Sequence, residues 1–209
     1  MALQYVGSDE GKGAISPSVD VFDALLLAFF VLFSAIRTVF ERRVRTAQTI
    51  ESRHERRERG FYLLVAFTYL LIPVWALTDW LDPAAFDSPD WLRWVGVGVL
   101  AAGLATFWWT HRTLGRNWSG VLEIYEDHTL VQDGPYRLVR HPMYTAFLVC
   151  GIGVLLTSSN AILGPANLLA VTVMLVVRIP AEERMLIEHF EDEYRERMRT
   201  TGRLLPRLR

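Results

Sequence analysis

At 209 residues, 51% hydrophobic and 22% charged with a formal net charge of −1, the chain is sized for one domain, and its near-neutral balance argues against wholesale nucleic-acid binding. A mean hydropathy of +0.20 beside so many charges requires apolar and charged stretches to be segregated along the sequence, as in a membrane protein. The single cysteine, Cys150, excludes an intramolecular disulfide and a multi-cysteine zinc site, and inside an apolar run it reads as a small buried hydrophobe.

Residues 1–20 are polar and lack the basic segment, apolar core and cleavage site of a secretory signal, so a short exposed tail is expected. Residues 21–40 are apolar apart from Asp23, Ser34, Arg37 and Thr38, enough for a first span. The chain then turns charged over 41–60, where Arg42, Arg43, Arg45, Arg53, Arg56, Arg57 and Arg59 mark a cytoplasmic side on a solvated helix or loop. Residues 61–80 supply a second span, closed by Trp75, Asp79 and Trp80 at the interface. The following loop, 81–90, carries Asp82, Asp87 and Asp90 without a lysine or arginine and is expected to face outward. Residues 91–110 form a third span, in which Gly96, Gly98 and Gly103 permit close helix approach. No strand precedes these glycines, so they make no dinucleotide fingerprint.

Residues 111–140 are polar and hold Arg112, Arg116, Arg137 and Arg140, which returns this loop to the cytoplasmic side. A short extended piece is expected over 121–125, a turn over 126–128, and a lead-in over 129–131 to the turn at Asp133-Gly134-Pro135. Residues 143–156 and 162–177 flank Thr157-Ser158-Ser159-Asn160 as a helical hairpin, the fourth and fifth spans. The fifth ends at Arg178-Ile179-Pro180, where Pro180 suits the first turn of a separate amphipathic helix over 181–199. Leu186, Ile187, Phe190 and Tyr194 mark the apolar face of that helix. A basic tail follows, with Leu204-Leu205-Pro206 placed to fold back. The expected fold is all-α: one integral membrane bundle of about five transmembrane helices, with a polar cytoplasmic segment and a C-terminal helix. Residues 21–110 supply its first three spans and 111–209 the remainder, the half that the resemblance described below makes cofactor-binding and catalytic.

Polar chemistry meets an apolar run at residues 134–144, which hold Tyr136, Arg137, Arg140, His141, Pro142, Met143 and Tyr144. Pro142 suits the first turn of a helix, which leaves the residues before it at the helix mouth, where backbone N–H groups and the dipole favour a carboxylate or hydroxyl ligand. Arg178, at the end of a span, has three readings: snorkelling, pairing with Glu182, or holding a ligand. His128 and His141 are too few for a metal site, and neither a serine elbow nor a Walker loop is present. Any chemistry must therefore use a borrowed reactive group.

His128-Thr129-Leu130-Val131, Gly134-x-Tyr136, Arg140-His141-Pro142-x-Tyr144, Arg178, Glu182-Glu183-x-x-Leu186 and Phe190-x-x-x-Tyr194 together resemble the isoprenylcysteine carboxyl methyltransferase family, over about the carboxy-terminal half. The resemblance implies a compact prokaryotic-type enzyme of the cell membrane, using S-adenosylmethionine to methylate a lipophilic carboxylate from the cytoplasmic face. By the same resemblance His128, Thr129, Leu130, Val131, Tyr136, His141, Pro142, Met143, Tyr144 and Glu182 line the cofactor, and Arg178 holds the substrate carboxylate. Membrane lipids are the surrounding partners. Three alternatives stay open: a phospholipid or amine methyltransferase, a lipid-binding protein that keeps the fold without catalysis, and a nicotinamide-dependent membrane reductase.

Overall fold

A computed structural model describes residues 20–44, 49–52, 55–115, 123–125 and 129–207. Residues 1–19 of the tail expected over 1–20, and the turn over 126–128 with His128, lie outside the described residues. Helices α1 (Val21–Val44), α2 (Glu55–Leu77), α3 (Asp90–Leu114), α4 (Pro142–Ser158) and α5 (Leu163–Thr200) form the bundle. By length and composition α1, α3 and α5 can each cross a membrane. The apolar stretches at Leu63–Leu77 in α2 and over α4 are shorter. The expected hairpin is α4 and α5, which pack on each other, while α3 packs on α4 and α2 on α5.

Two ends of opposite character close the bundle. At one, strands β1 (Thr49–Ser52) and β2 (Glu123–Tyr125) pair antiparallel, which ties the loop after α1 to the loop after α3. In the sequence the two segments that these strands belong to, 41–60 and 111–140, together hold more arginines than carboxylates, so this end is the basic one by composition. At the other end the acidic loop meets the α4–α5 turn: Phe86 N–H donates to Ser159 O at 3.0 Å and Ala161 N–H to Ala84 O at 2.8 Å. Asn160 is buried there, and its side-chain amide donates to Leu81 O at 2.8 Å while its oxygen caps Leu163 N–H at 2.9 Å. Exposed Trp80 and Trp91 ring this acidic end, and Trp108 and Trp109 ring the other. That is the placement of interfacial belts.

An aromatic layer locks the helices just below the basic end. Phe33 of α1 stacks on Phe107 of α3 at 4.3 Å and on Tyr69 of α2 at 4.9 Å, and Phe107 lies 5.6 Å from Phe147 of α4. Each such pair contributes about 0.5–1.5 kcal/mol beyond its buried area. Where lipid removes the hydrophobic drive between helices, close packing must supply the rest. Gly96 and Gly103 of α3 provide it, since a Cβ on Gly96 would come within 2.8 Å of Thr157 N, and one on Gly103 within 2.6 Å of the buried Cys150 Sγ. Gly98, expected to share that role, faces open space. Gly96→Ala is therefore expected to cost about 1–3 kcal/mol by forcing α3 from α4. Gly98→Ala serves as the control, with thermal unfolding in detergent as the measurement and an unchanged melt expected for it.

Candidate active site

The expected helix start is where the structure has it: Pro142 is the first residue of α4 and His141 precedes it with non-helical backbone. Proline at that position has no N–H to leave unpaired and a ring preset to the helical φ, so the local sequence itself fixes where the Arg140-His141 pair is presented. From the other side comes α5, which runs unbroken through Pro180 and carries Arg178, Glu182 and Glu183 into the same region. The separate helix expected from Pro180 is not formed. Pro180 is exposed, and the non-helical residue inside α5 is instead Glu191, at φ 46°. Arg178 and Glu182 consequently lie one turn apart on one helical face.

Four of the predicted residues meet at this corner. The Tyr144 hydroxyl donates to Glu182 Oε2 at 2.5 Å, and the Tyr144 ring stacks on His141 with centroids 5.6 Å apart. The guanidinium carbon of Arg178 lies 5.9 Å from the centre of the Tyr144 ring. His141, 3% exposed, has Nδ1 at 3.6 Å from Glu182 Oε1 and Nε2 at 3.3 Å from Glu183 Oε1. A neutral imidazole has only one N–H, so a carboxylate on each nitrogen favours the imidazolium. Burial opposes that charge, but the hydrogen bonds it donates to the Glu182 and Glu183 carboxylates, with their negative charges, outweigh it and raise the His141 pKa above its ordinary value.

Arg140 braces this corner. Its Nη2 and Nε lie 2.9 and 3.2 Å from Glu183 Oε1, and its Nη1 donates to the carbonyls of Met198 and Thr201. Arg203 reaches the same carboxylate, with Nε at 3.2 Å from Oε1 and Nη2 donating to Oε2. Glu183, 4% exposed, is thus ringed by Arg140, His141 and Arg203. The tail does fold back: Arg140 N–H donates to Gly202 O at 2.8 Å, His141 N–H to Arg203 O at 3.1 Å and Thr145 Oγ1 to Leu204 O at 2.8 Å. With Arg178 included, cations outnumber carboxylates at this corner, so it favours an anionic ligand.

The remaining predicted residues stand around it. Tyr136 lies in a 3-10 turn (Gly134–Arg137), its carbonyl accepts from Arg197 Nη2, and its hydroxyl is within electrostatic reach of Glu182 and Tyr194. Burial pushes the pKa of that hydroxyl well above the ordinary phenol value. Thr129 is exposed, and Leu130 and Val131 are half-buried on the irregular segment leading to Gln132, whose side chain donates to Glu193 Oε1 at 2.9 Å. Pro142 is buried, whereas Met143 packs against the aromatic core. Sequence reasoning named Arg140 and Glu183 within motifs but gave them no place in the site, and it missed Arg203. The basic composition of the tail was the available signal for Arg203.

Comparison with known proteins accords with this architecture. The isoprenylcysteine carboxyl methyltransferase (ICMT) family model matches residues 94–188, from α3 into α5. The chain is 32% identical over 141 residues to a probable protein-S-isoprenylcysteine O-methyltransferase of Oryza sativa subsp. indica, covering 64% of this chain and 73% of that one. It is 26% identical over 221 residues to methanethiol S-methyltransferase of Pseudomonas deceptionensis, covering 96% of this chain and 78% of that one. A solved eukaryotic intramembrane Ras methyltransferase, ICMT, superposes with a TM-score of 0.53 at 25% identity, over 70% of this chain and 50% of that one. The chain therefore spans half the length of that solved relative. A helical bundle of this kind, with these relatives, is a membrane methyltransferase. The chain belongs to the isoprenylcysteine carboxyl methyltransferase family.

Proposed function

We propose that this protein transfers the methyl group of S-adenosylmethionine to the carboxylate of a lipophilic acceptor, an isoprenylated cysteine or a similar lipidic acid. The site faces the cytoplasm of a prokaryotic cell, and the half of the chain over 111–209 carries the reaction on a scaffold made by 21–110. The observation that supports this reading above the others is the meeting of Arg178, Tyr144, Glu182 and His141 at the basic end of an apolar bundle. A water-soluble donor reaches that end from the cytoplasm, and a lipid acceptor reaches it from the bilayer.

The donor set suits the cofactor. Glu182 accepts from hydroxyl or ammonium groups, the His141 imidazolium offers a counter-charge to a carboxylate, and Tyr136 and Tyr144 offer aromatic faces to a cation. The backbone of Leu130 and Val131 makes no hydrogen bond among the described residues, which leaves donors and acceptors for the edge of a purine. When bound, S-adenosylmethionine supplies an electrophilic methyl group on a sulfonium. Arg178 orients the acceptor carboxylate, and Glu182, itself held by Tyr144 and His141, fixes the partner that the carboxylate must meet in line. A donor held there would give its methyl to the carboxylate oxygen and would keep on sulfur the electron pair of the broken carbon–sulfur bond. A carboxylate is ionised at neutral pH, so no side chain has to remove a proton. The chain's part is alignment, a cationic grip and exclusion of water.

The alignment of a methanethiol S-methyltransferase along 96% of this chain favours a second reading, methyl transfer to a small thiol. Purified protein in detergent, given methyl-labelled S-adenosylmethionine and a lipid extract, is expected to place label in the lipid fraction. Label recovered only as a volatile thioether from an added thiol would favour the second reading. Absence of both transfer and calorimetric binding of the demethylated cofactor would remove the proposal.

A further inference from the structure

Arg203 lies on the returning tail, and half of its side chain meets solvent. The tail is already tied without that side chain: Gly202 O accepts from Arg140 N–H, Leu204 O accepts from Thr145 Oγ1, and Leu204 packs against the aromatic core. Arg203 nonetheless directs both ends of its guanidinium at one buried carboxylate. Its Nε lies 3.2 Å from Glu183 Oε1 while Nη2 donates to Oε2, a two-point fork that fixes the plane of a carboxylate as well as its position. The Arg203 carbonyl also accepts the His141 N–H, at 3.1 Å. One tail residue therefore holds His141 twice, directly and through Glu183.

From this fork a line of alternating charge runs through the corner. Arg203 is positive, Glu183 negative, the His141 imidazolium positive and Glu182 negative, with successive steps of 3.2, 3.3 and 3.6 Å. In a surround of low dielectric each member is stabilised by its neighbours, so the orientation of one constrains the next. The two middle members are buried, with side chains 5% and 2% exposed, and the line opens again at Glu182, which is 27% exposed. The Tyr144 hydroxyl holds Glu182 Oε2 from the other side at 2.5 Å. A carboxylate accepts up to about four hydrogen bonds, so Glu182 can receive a ligand cation beside the groups that hold it. S-adenosylmethionine carries such a cation, the ammonium of its amino-acid end.

We propose that Arg203 is a positioning residue for the cofactor: by fixing Glu183 it holds His141, and through His141 it keeps Glu182 turned towards the ammonium of S-adenosylmethionine. The inference rests on the cofactor reading given above and adds to it a residue of the tail, which lies beyond the region matched by the family model. Arg203 acts here through three other side chains, so its removal weakens the grip on the amino-acid end of the cofactor and leaves the grip on the nucleoside as it was.

The test is calorimetric binding in detergent of two probes: S-adenosylhomocysteine, the demethylated cofactor, and 5′-methylthioadenosine, which keeps the nucleoside and the thioether and lacks the amino-acid end. The wild type is expected to bind the first at least about tenfold more tightly, the scale of a charge-assisted hydrogen bond. Arg203→Gln is expected to weaken S-adenosylhomocysteine about five- to tenfold, as for one net hydrogen bond, and to leave methylthioadenosine within about twofold. Arg203→Lys, which keeps the charge and loses the fork, is expected to show a smaller loss confined to the same probe, and it guards against a folding defect in the glutamine variant. Arg207→Gln, which removes a neighbouring tail cation that donates to Arg199 O, is expected to keep both affinities. If Arg203→Gln weakens both probes alike, the residue only docks the tail and the proposal is overturned; if it weakens neither, the proposal is overturned and the cofactor reading stands. If the wild type binds both probes alike, Glu182 holds no ammonium and the proposal falls by itself. If the wild type binds neither, the cofactor reading fails and takes the proposal with it.

Discussion

Arg178→Ala is expected to lower the rate of methyl transfer about a hundred- to a thousandfold, the usual scale for losing one fixed donor that orients a reacting oxygen. Arg178 is 6% exposed near the end of the apolar part of α5, and its guanidinium lies over the Tyr144 ring rather than among the residues that brace Glu183. The loss is therefore expected in turnover and acceptor affinity, with calorimetric binding of the demethylated cofactor within a few-fold of wild type. Arg178→Lys keeps the charge without the bidentate fork and is expected to fall between the two. Near-normal turnover in both variants would mean that this arginine snorkels or pairs with Glu182, and that the acceptor is oriented elsewhere.

The second large effect is expected at Glu183, and in stability rather than rate. This buried carboxylate faces Arg140, His141 and Arg203 together, and through them it holds the start of α4, the end of α5 and the returning tail. Glu183→Ala strands buried cations without their counter-charge, for which the cost is about 3–5 kcal/mol. Thermal unfolding in detergent is expected to shift down by many degrees, and Arg203→Gln, which removes a half-exposed partner, by much less. Equal shifts for the two would mean that the tail, not the carboxylate, carries the corner.

The ease of reading this fold varied with the range of the interactions involved. Pro142 announced the start of α4 because proline's preference for the first helical turn is a local matter, and Thr157–Asn160 marked the hairpin because turn-forming residues between two apolar runs are likewise a local signal. The returning tail was legible as far as its composition. Pro180 misled, since proline costs a helix interior one hydrogen bond without always ending it, and α5 passes through it on an exposed face. Gly98 misled too: its spacing from Gly96 puts it on another face of α3, and only the packed α4 tells the two apart. The pairing of β1 with β2 could not be read, because four and three residues show no period and their partners lie over seventy positions apart. Arg140 and Glu183 are likewise separated by 43 positions, so their ion pair appears only once α4 and α5 are folded.

If Arg178 holds an ionised carboxylate for attack, as proposed, the new bond runs from methyl to oxygen. The linkage in the product tests it directly. Lipid labelled by the purified protein from methyl-labelled S-adenosylmethionine is expected to release its label as methanol in mild base, as a carboxylic ester does. Label that survives the same treatment on sulfur or nitrogen would contradict the claim.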